Sequence, residues 1–330
     1  MTQLVELQAA LPKFRDAGIK LYAVSYDEPA ALDDFARHHN ITYPLLSDLG
    51  SKVIDRFGIR NRFVTEEQVP YYGIPFPGTY LVDESGVVTA KFFHRNIAHR
   101  HSSESVIDSA LGAILVGDDE PQAAAEDDGI RVTAAYHGGG GQIKSGALRE
   151  VVVRFELAAG LHIYGPPVPA GMVATTVRVS GPPGLHVGQT QAPPSHPFSL
   201  PGVDAELQVW DGRVDFVVPV YVDDRIASMV ESVRDEAITL KVQVEYQACS
   251  EESCRIPQRK VLTVRVPLAP QVGNVLAGRL AGTVATTMSS RRYLRRMIWR
   301  GWLRSPFRGL RYLLRLSGDI RRGPAGGSKR

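Results

Sequence analysis

Residues 244–266 read VEYQACSEESCRIPQRKVLTVRV. Val242, Val244 and Tyr246 alternate on one side of this stretch, and Leu262, Val264 and Val266 alternate on the other. That is the period-two pattern of half-buried β-strands. The two runs must return on each other, and Cys249 and Cys254 sit where they meet. These are the two cysteines of a 330-residue chain. Four residues between them close a short loop, so a bridge is sterically reasonable. A static disulfide, two buried free thiols and a redox pair all fit the residues alone. Glu251 and Glu252 lie inside the loop, where their charge disfavours a thiolate and raises thiol pKa values. Such a pair suits exchange with an incoming activated thiol better than unaided attack on peroxide. Two cysteines with no histidine at finger spacing do not make a zinc site, and no metal or other cofactor is expected.

Working outward, Ile130–Tyr136, Arg149–Leu157, Ala174–Ser180, Glu206–Trp210, Arg213–Val222, Ile238–Tyr246 and Lys260–Val266 alternate or run apolar with β-branched residues. Gly/Pro-rich turns such as Gly165–Pro169, Gly181–Gly184 and Ala192–Pro197 separate them. About seven short strands with turns between predict an immunoglobulin-like antiparallel β-sandwich over residues 129–270. His137–Gln142 (HGGGGQ) is a loop between two strands. It lacks the Gly-x4-Gly-Lys-Ser/Thr pattern of a phosphate loop, and no helix pattern follows it.

This region resembles the amino-terminal domain of the thiol:disulfide interchange protein DsbD over about residues 130–268. The likeness is carried by LAAGLHIYGPP, by DFVVPVYV, and above all by Tyr-Gln-Ala-Cys followed by Cys-x-x-Pro at Cys254 and Pro257. It implies that Cys249 and Cys254 cycle between dithiol and disulfide, taking electrons from a thioredoxin-like domain and passing them to partner proteins. Tyr246, Tyr164 and Phe198 are candidate shields over the sulfurs, or ordinary core residues.

Residues 118–128 (DDEPQAAAEDD) hold six acids and one proline, a linker composition. Before them the texture is α/β. Leu4, Leu7, Leu11 and Phe14 fall at helical spacing, and Gly18 ends the helix. Ile19–Ser25 reads as a strand. Asp27 is the expected cap of a helix to His39, with Pro29 in its first turn. His38 and His39 at that helix's end favour the dipole. Tyr43–Ser47 reads as a second strand, Asp48 as a cap for Ser51–Phe57, Thr79–Asp83 with Val87–Phe93 as a hairpin, and Ser103–Leu115 as a closing helix. His94, His99 and His101 cluster after the hairpin, without the regular thiol or acid partners of a metal site.

Over residues 3–115 the chain resembles the AhpC/TSA branch of the thioredoxin-like superfamily, on the stretches QLVELQ, GIKLYAVSYDEPAALDDFARHHNITYPLLSDLGSKVIDRFGI and GIPFPGTYLVDESGVV. In that family a loop with the reactive cysteine precedes the first helix, so here it would lie upstream of Met1. Pro77 in FPGTY matches the family's cis-proline position. Pro77-Gly78 stands where many peroxiredoxins place an arginine, which favours a disulfide reductase over a peroxidase. The expected organisation is therefore a thioredoxin-like α/β module at 1–117, an acidic linker at 118–128, a β-sandwich at 129–270 and a basic tail at 271–330.

The tail sets the charge balance. Residues 291–330 carry 12 Arg and 1 Lys against Asp319, while the other 290 residues are net acidic. Arg292, Arg296, Arg300, Arg304 and Arg308 recur every four residues, with Leu294, Ile298, Trp302 and Leu303 between them. This is a basic amphipathic helix, or a disordered tail, suited to an anionic membrane surface or nucleic acid. The 44% apolar and 22% charged composition excludes wholesale disorder and collagen-like repeats, and no run of about 18 apolar residues encodes a membrane-spanning helix. The opening residues MTQLVELQAALPKF lack the regions of a signal peptide, which predicts the cytoplasm. The interchange-protein resemblance implies the periplasm instead, with a true start upstream. Three activities fit: thiol–disulfide exchange through Cys249 and Cys254, a peroxiredoxin-like antioxidant with its peroxide-reactive cysteine upstream, and a non-catalytic scaffold.

Overall fold

The computed structural model describes residues 2–67, 72–93, 100–144, 147–199, 206–223, 226, 237–250 and 252–269. The basic tail, Glu251, His94 and His99 lie outside them. The chain divides into two units at Pro77 and Gly78.

The first unit runs α1 (Thr2–Ala9), α2 (Leu11–Asp16), β1 (Ala23–Ser25), α3 (Pro29–His39), β2 (Leu45–Ser47) and α4 (Lys52–Arg56). The strands are shorter than expected and pair in parallel, Ala23 beside Leu45. Leu11, Phe35, Ile41 and Tyr43 form a small core, with Leu4 and Leu7 packed against it. Asp27 does not cap α3: Glu28 holds the N-cap position without a side-chain bond, and the Asp27 carboxylate instead accepts from Ser25 Oγ at 2.6 Å. Asp48 does serve α4, accepting from the Ile54 amide at 2.8 Å, although Ser51 is the N-cap residue.

The second unit opens with an antiparallel hairpin of β3 (Gly78–Val82) and β4 (Val88–Phe93). Asp83 Oδ1 accepts from the Ser85 and Val87 amides at 2.9 Å and makes the turn. Next come α5 (Ser103–Leu111), β5 (Gln122–Asp127), β6 (Ile130–His137), β7 (Arg149–Leu157), β8 (His162–Gly165), β9 (Thr176–Ser180), β10 (Leu185–Val187), β11 (His196–Ser199), β12 (Glu206–Asp211), β13 (Arg213–Val222), β14 (Ala237–Tyr246), β15 (Ala248–Cys249) and β16 (Gln258–Pro267).

Three antiparallel sheets result, in the orders β10-β13-β7-β6-β5, β11-β12-β8-β15 and β16-β14-β9. Alternate residues of β13, β14 and β16 turn inward, as the period-two pattern requires. All three sheets feed one core that includes Val151, Val153, Phe155, Phe216, Leu240, Val242, Tyr246 and Val264. Burial of that many apolar side chains, each contributing about 1.5–3 kcal/mol against exposure, makes this core the main source of the unit's stability.

Two boundaries differ from expectation. Half of the supposed acidic linker is strand: residues 122–127 pair along their whole length with β6, Gln122 opposite Ala135 through Asp127 opposite Ile130. Ala123 and Ala125 pack against the core, while Ala124, Glu126 and Asp127 face solvent. Helix α5 ends at Leu111, on left-handed Gly112, and belongs to the second unit. Its buried face is polar: Glu104, Ser105 and Asp108 lie inward beside Val106 and Ile107. Those groups need partners, and the β-strand part of the same unit supplies them. The Gly139 amide donates to Glu104 at 3.0 Å, and His137 bonds Asp108 at 2.7 Å.

Candidate functional site

The cysteine pair is built by two short strands. In β15, Cys249 lies opposite His162 of β8. The chain then turns back at once. The Ser250 amide donates to Ser253 O and the Arg255 amide to Ala248 O, both at 2.9 Å, so the loop is a tight hairpin. Ser250 Oγ accepts from the Glu252 and Ser253 amides at 3.3 and 3.2 Å. Gln247 clamps the base: its Oε1 accepts from the Val173 amide at 3.0 Å and its Nε2 donates to Arg255 O at 3.1 Å. Cys249 and Cys254 are joined as a disulfide.

The two sulfurs differ in access. Cys249 is fully buried, in a small cluster with Tyr164, Leu207 and Val209, against which Val168, Met172 and Phe198 pack. Cys254 is exposed, as are Glu252 and Pro257. Ile256 is 80% exposed two residues beyond Cys254.

The candidate site residues separate accordingly. Tyr164 and Phe198 do lie at the pair. Tyr164 is fully buried, its hydroxyl stands 3.5 Å from Cys254 Sγ, and burial pushes its pKa up. Tyr246 does not: it joins the main core, its ring 5.3 Å from that of Phe155, so it is a packing residue. Its place one strand position before the hairpin points it to the inner face of β14. Pro257 sits exposed between the hairpin and β16, where its fixed φ suits the change of direction. Pro77 is far from the expected role. The Phe76–Pro77 bond is trans, and among the described residues the cis bond is Pro166–Pro167.

Sequence reading missed His162. Its Nε2 is 3.3 Å from the Tyr164 hydroxyl, and its ring packs 4.4 Å from that of Phe198. Burial holds its pKa below the usual histidine value; Asp211, opposite it on β12, pulls upward, and His196 pushes downward. The pattern HIY in a strand of four residues, ended by Gly and Pro, was the available signal.

A second polar cluster is buried at the α5 contact. His137 Nε2 lies 2.7 Å from Asp108 Oδ2, and its Nδ1 lies 2.7 Å from Glu120 Oε2. Asp108, His137 and Glu150 also offer ligand atoms within 4.8 Å of one another, the spacing of a metal site. Both ring nitrogens already face carboxylates, so the arrangement is that of an imidazolium held between two anions. Burial lowers the His137 pKa, but the hydrogen bonds to Asp108 and Glu120 outweigh it and raise the value to about 10. Glu150 beside it is pushed up by burial.

Cys249 is buried and Cys254 exposed, and the two are joined as a disulfide at the tip of a hairpin. Comparisons with known proteins give the following matches. Residues 1–91 match the AhpC/TSA family, and residues 142–265 match the family "Thiol:disulfide interchange protein DsbD, N-terminal". The two matches follow one another along the chain and leave residues 92–141 and 266–330 outside them. Over 95 residues it is 28% identical to the chloroplastic peroxiredoxin Q of Populus jackii, covering 28% of this chain and 41% of that one. The chloroplastic peroxiredoxin Q of Arabidopsis thaliana is 29% identical over 94 residues, covering 28% and 40%. The chain thus spans about two fifths of the length of the curated relatives it matches. Among solved structures, the N-terminal periplasmic domain of ScsB from Proteus mirabilis is 18% identical with a TM-score of 0.32, covering 48% of this chain and 59% of that one. The reduced Neisseria meningitidis DsbD N-terminal domain is 17% identical with a TM-score of 0.24, covering 46% and 95%.

Proposed function

We propose that the protein is a thiol–disulfide oxidoreductase whose reacting pair is Cys249 and Cys254. The observation that carries this reading is the unequal access of the two sulfurs at one hairpin. An incoming thiolate attacks the exposed Cys254 Sγ. A mixed disulfide forms there, the Cys249–Cys254 bond breaks, and Cys249 leaves as the thiolate. In reverse, the Cys254 thiolate attacks a client disulfide, and Cys249 resolves the mixed disulfide to close the internal bond. The electrons pass two at a time and no cofactor is needed. The partners are thioredoxin-like proteins and disulfide-bearing clients. The second unit works as an immunoglobulin-like sandwich that presents the hairpin, and Ile256 gives the partner an apolar contact beside the sulfur. An oxidising space such as the periplasm suits a pair held as a disulfide.

Incubation of each reduced variant with a single-cysteine thioredoxin activated as its thionitrobenzoate disulfide, which releases thionitrobenzoate on exchange, tests the reading. Cys249→Ser should accumulate a mixed disulfide through Cys254, whereas Cys254→Ser should form none. Equal trapping by both variants, or by neither, contradicts the assignment.

The peroxiredoxin Q likeness favours a second reading, in which the first module reduces peroxide. Residues 1–91 contain no cysteine, so the peroxidatic thiol would precede residue 1. An intact mass above 36.1 kDa for the native protein, with additional alkylated thiols, would support it. The arginine-rich tail suits an anionic lipid surface on charge grounds, testable by co-sedimentation with phosphatidylserine vesicles in low and high salt.

A further inference from the structure

A line of polar side chains runs inward from the protein surface to the disulfide. At the outer end, His196 Nε2 lies 2.8 Å from Asp211 Oδ2, and both side chains are more than half exposed. Asp211 stands opposite His162 in the β8–β12 register. His162 Nε2 is 3.3 Å from the Tyr164 hydroxyl, and that hydroxyl is 3.5 Å from Cys254 Sγ. Strand geometry explains the alignment. Residues 162 and 164 are two apart on β8, so both side chains leave the same face. Phe198 covers the His162 ring, and the Cys249 cluster encloses Tyr164. Neither side chain is used by sandwich packing alone: each carries a polar atom into a buried place, where such atoms need partners.

Resting on the exchange reading above, we propose that His162 is the proton acceptor for the Cys254 thiol, with the Tyr164 hydroxyl relaying the proton between them. In the dithiol form, with the imidazole proton on Nδ1, the Cys254 S–H donates to the Tyr164 oxygen and the Tyr164 O–H donates to His162 Nε2. A concerted shift along this line moves one proton from sulfur to imidazole. It leaves a Cys254 thiolate and a His162 imidazolium, with tyrosine neutral before and after. The thiolate then attacks a client disulfide. A bond forms from Cys254 Sγ to one client sulfur, and the other departs as a thiolate. The imidazolium returns its proton to solvent on the Asp211 and His196 side. The charged and titratable groups facing His162 are Asp211 from β12, His196 from β11, Tyr164 on its own strand and the cysteine pair on β15 and its loop. Burial keeps the imidazole neutral through the neutral pH range, with its lone pair free to accept. Tyr164 and His162 are positioned where a general base acting through one intermediate must be.

The test is the reaction of the reduced full-length protein with 5,5′-dithiobis(2-nitrobenzoate) between pH 5 and 9. In the parent, the rate of the first thiol should rise as His162 loses its proton, with an inflection below pH 6.5. In His162→Gln and Tyr164→Phe this inflection should vanish and the rate at pH 7 should fall about tenfold or more. The double variant should be no slower than either single one, because both act on one path. Asp211→Asn, which leaves the relay intact, should move the inflection to lower pH by removing the charge that raises the imidazole pKa. Profiles of the parent and His162→Gln that superimpose would overturn the relay. So would an Asp211→Asn inflection that stays in place, which also covers the case of a variant that does not fold. Reduction of a thioredoxin disulfide is measured alongside. Loss of that transfer with the inflection preserved removes the exchange reading and leaves the relay standing.

Discussion

His137 is a cation that the fold has surrounded. Its ring is fully buried, with a carboxylate on each nitrogen at 2.7 Å. Because its pKa is raised from 6.5 to about 10, the charged form is favoured by the folded state. The associated stability is fully present below about pH 6.5 and is lost as pH rises toward about 10. The loss amounts to no more than about 1.4 kcal/mol per pH unit. Urea midpoints of the parent should therefore fall between pH 7 and 10, and those of His137→Gln should fall less steeply while starting lower. A parallel decline in both proteins would mean that another group sets the slope. The disulfide pair also turns on single residues. Cys254 was readable as half of a pair from the Cys-x-x-Pro spacing. Its exposure beside a buried Cys249 was not, because access depends on the β8–β15 pairing rather than on the loop.

At the level of elements, the long strands were legible. The expected Arg149–Leu157 and Arg213–Val222 runs are β7 and β13 residue for residue, since runs of nine and ten residues rich in β-branched side chains leave little freedom. The short ones were not. β8, β11 and β15 have two to four residues each, too few for a period to register, yet together with β12 they enclose the disulfide. Strand β5 was hidden by its acids, and the reach of α5 was hidden because a polar inner face reads as a solvated one. The glycine run at 138–141 belongs to the same contact. Gly138 and Gly139 take left-handed φ values and donate their amides to Glu120 and Glu104. A Cβ on Gly139 would stand 2.2 Å from Arg149 Nε. Gly139→Ala should therefore cost about 1–3 kcal/mol by crowding, and hydrogen exchange should show earlier opening of α5. The base of the reactive hairpin gives a parallel expectation. Gln247→Ala removes two bonds to backbone groups and should lower stability by about 1–3 kcal/mol. Disulfide reduction by dithiothreitol should also become faster, and an unchanged rate would show that the clamp does not restrain the loop.

At the scale of the molecule, two cores of very different size lie on one chain. The first unit centres on four buried residues, whereas the core of the second unit unites three sheets. Heating should resolve two transitions, the smaller one first. Phe155→Ala leaves a cavity where Phe216 and Tyr246 meet that ring, and should destabilise the larger transition by about 3–5 kcal/mol without moving the smaller. A single transition that shifts as a whole in calorimetry would contradict separate cores.

Strand β5 also has a practical meaning for anyone who wishes to produce the disulfide-bearing half alone. The composition of residues 118–128 invites a cut at 129, and the family match invites one at 142. A cut at 129 takes away β5 together with Asp108 and Glu120 and strands the buried His137 imidazolium without its counter-charges, and a cut at 142 removes β6 and His137 as well. The gene fragment should begin before Ser102, the cap of α5. Recombinant protein started there should be recovered soluble, while one started at 129 should be lost to inclusion bodies.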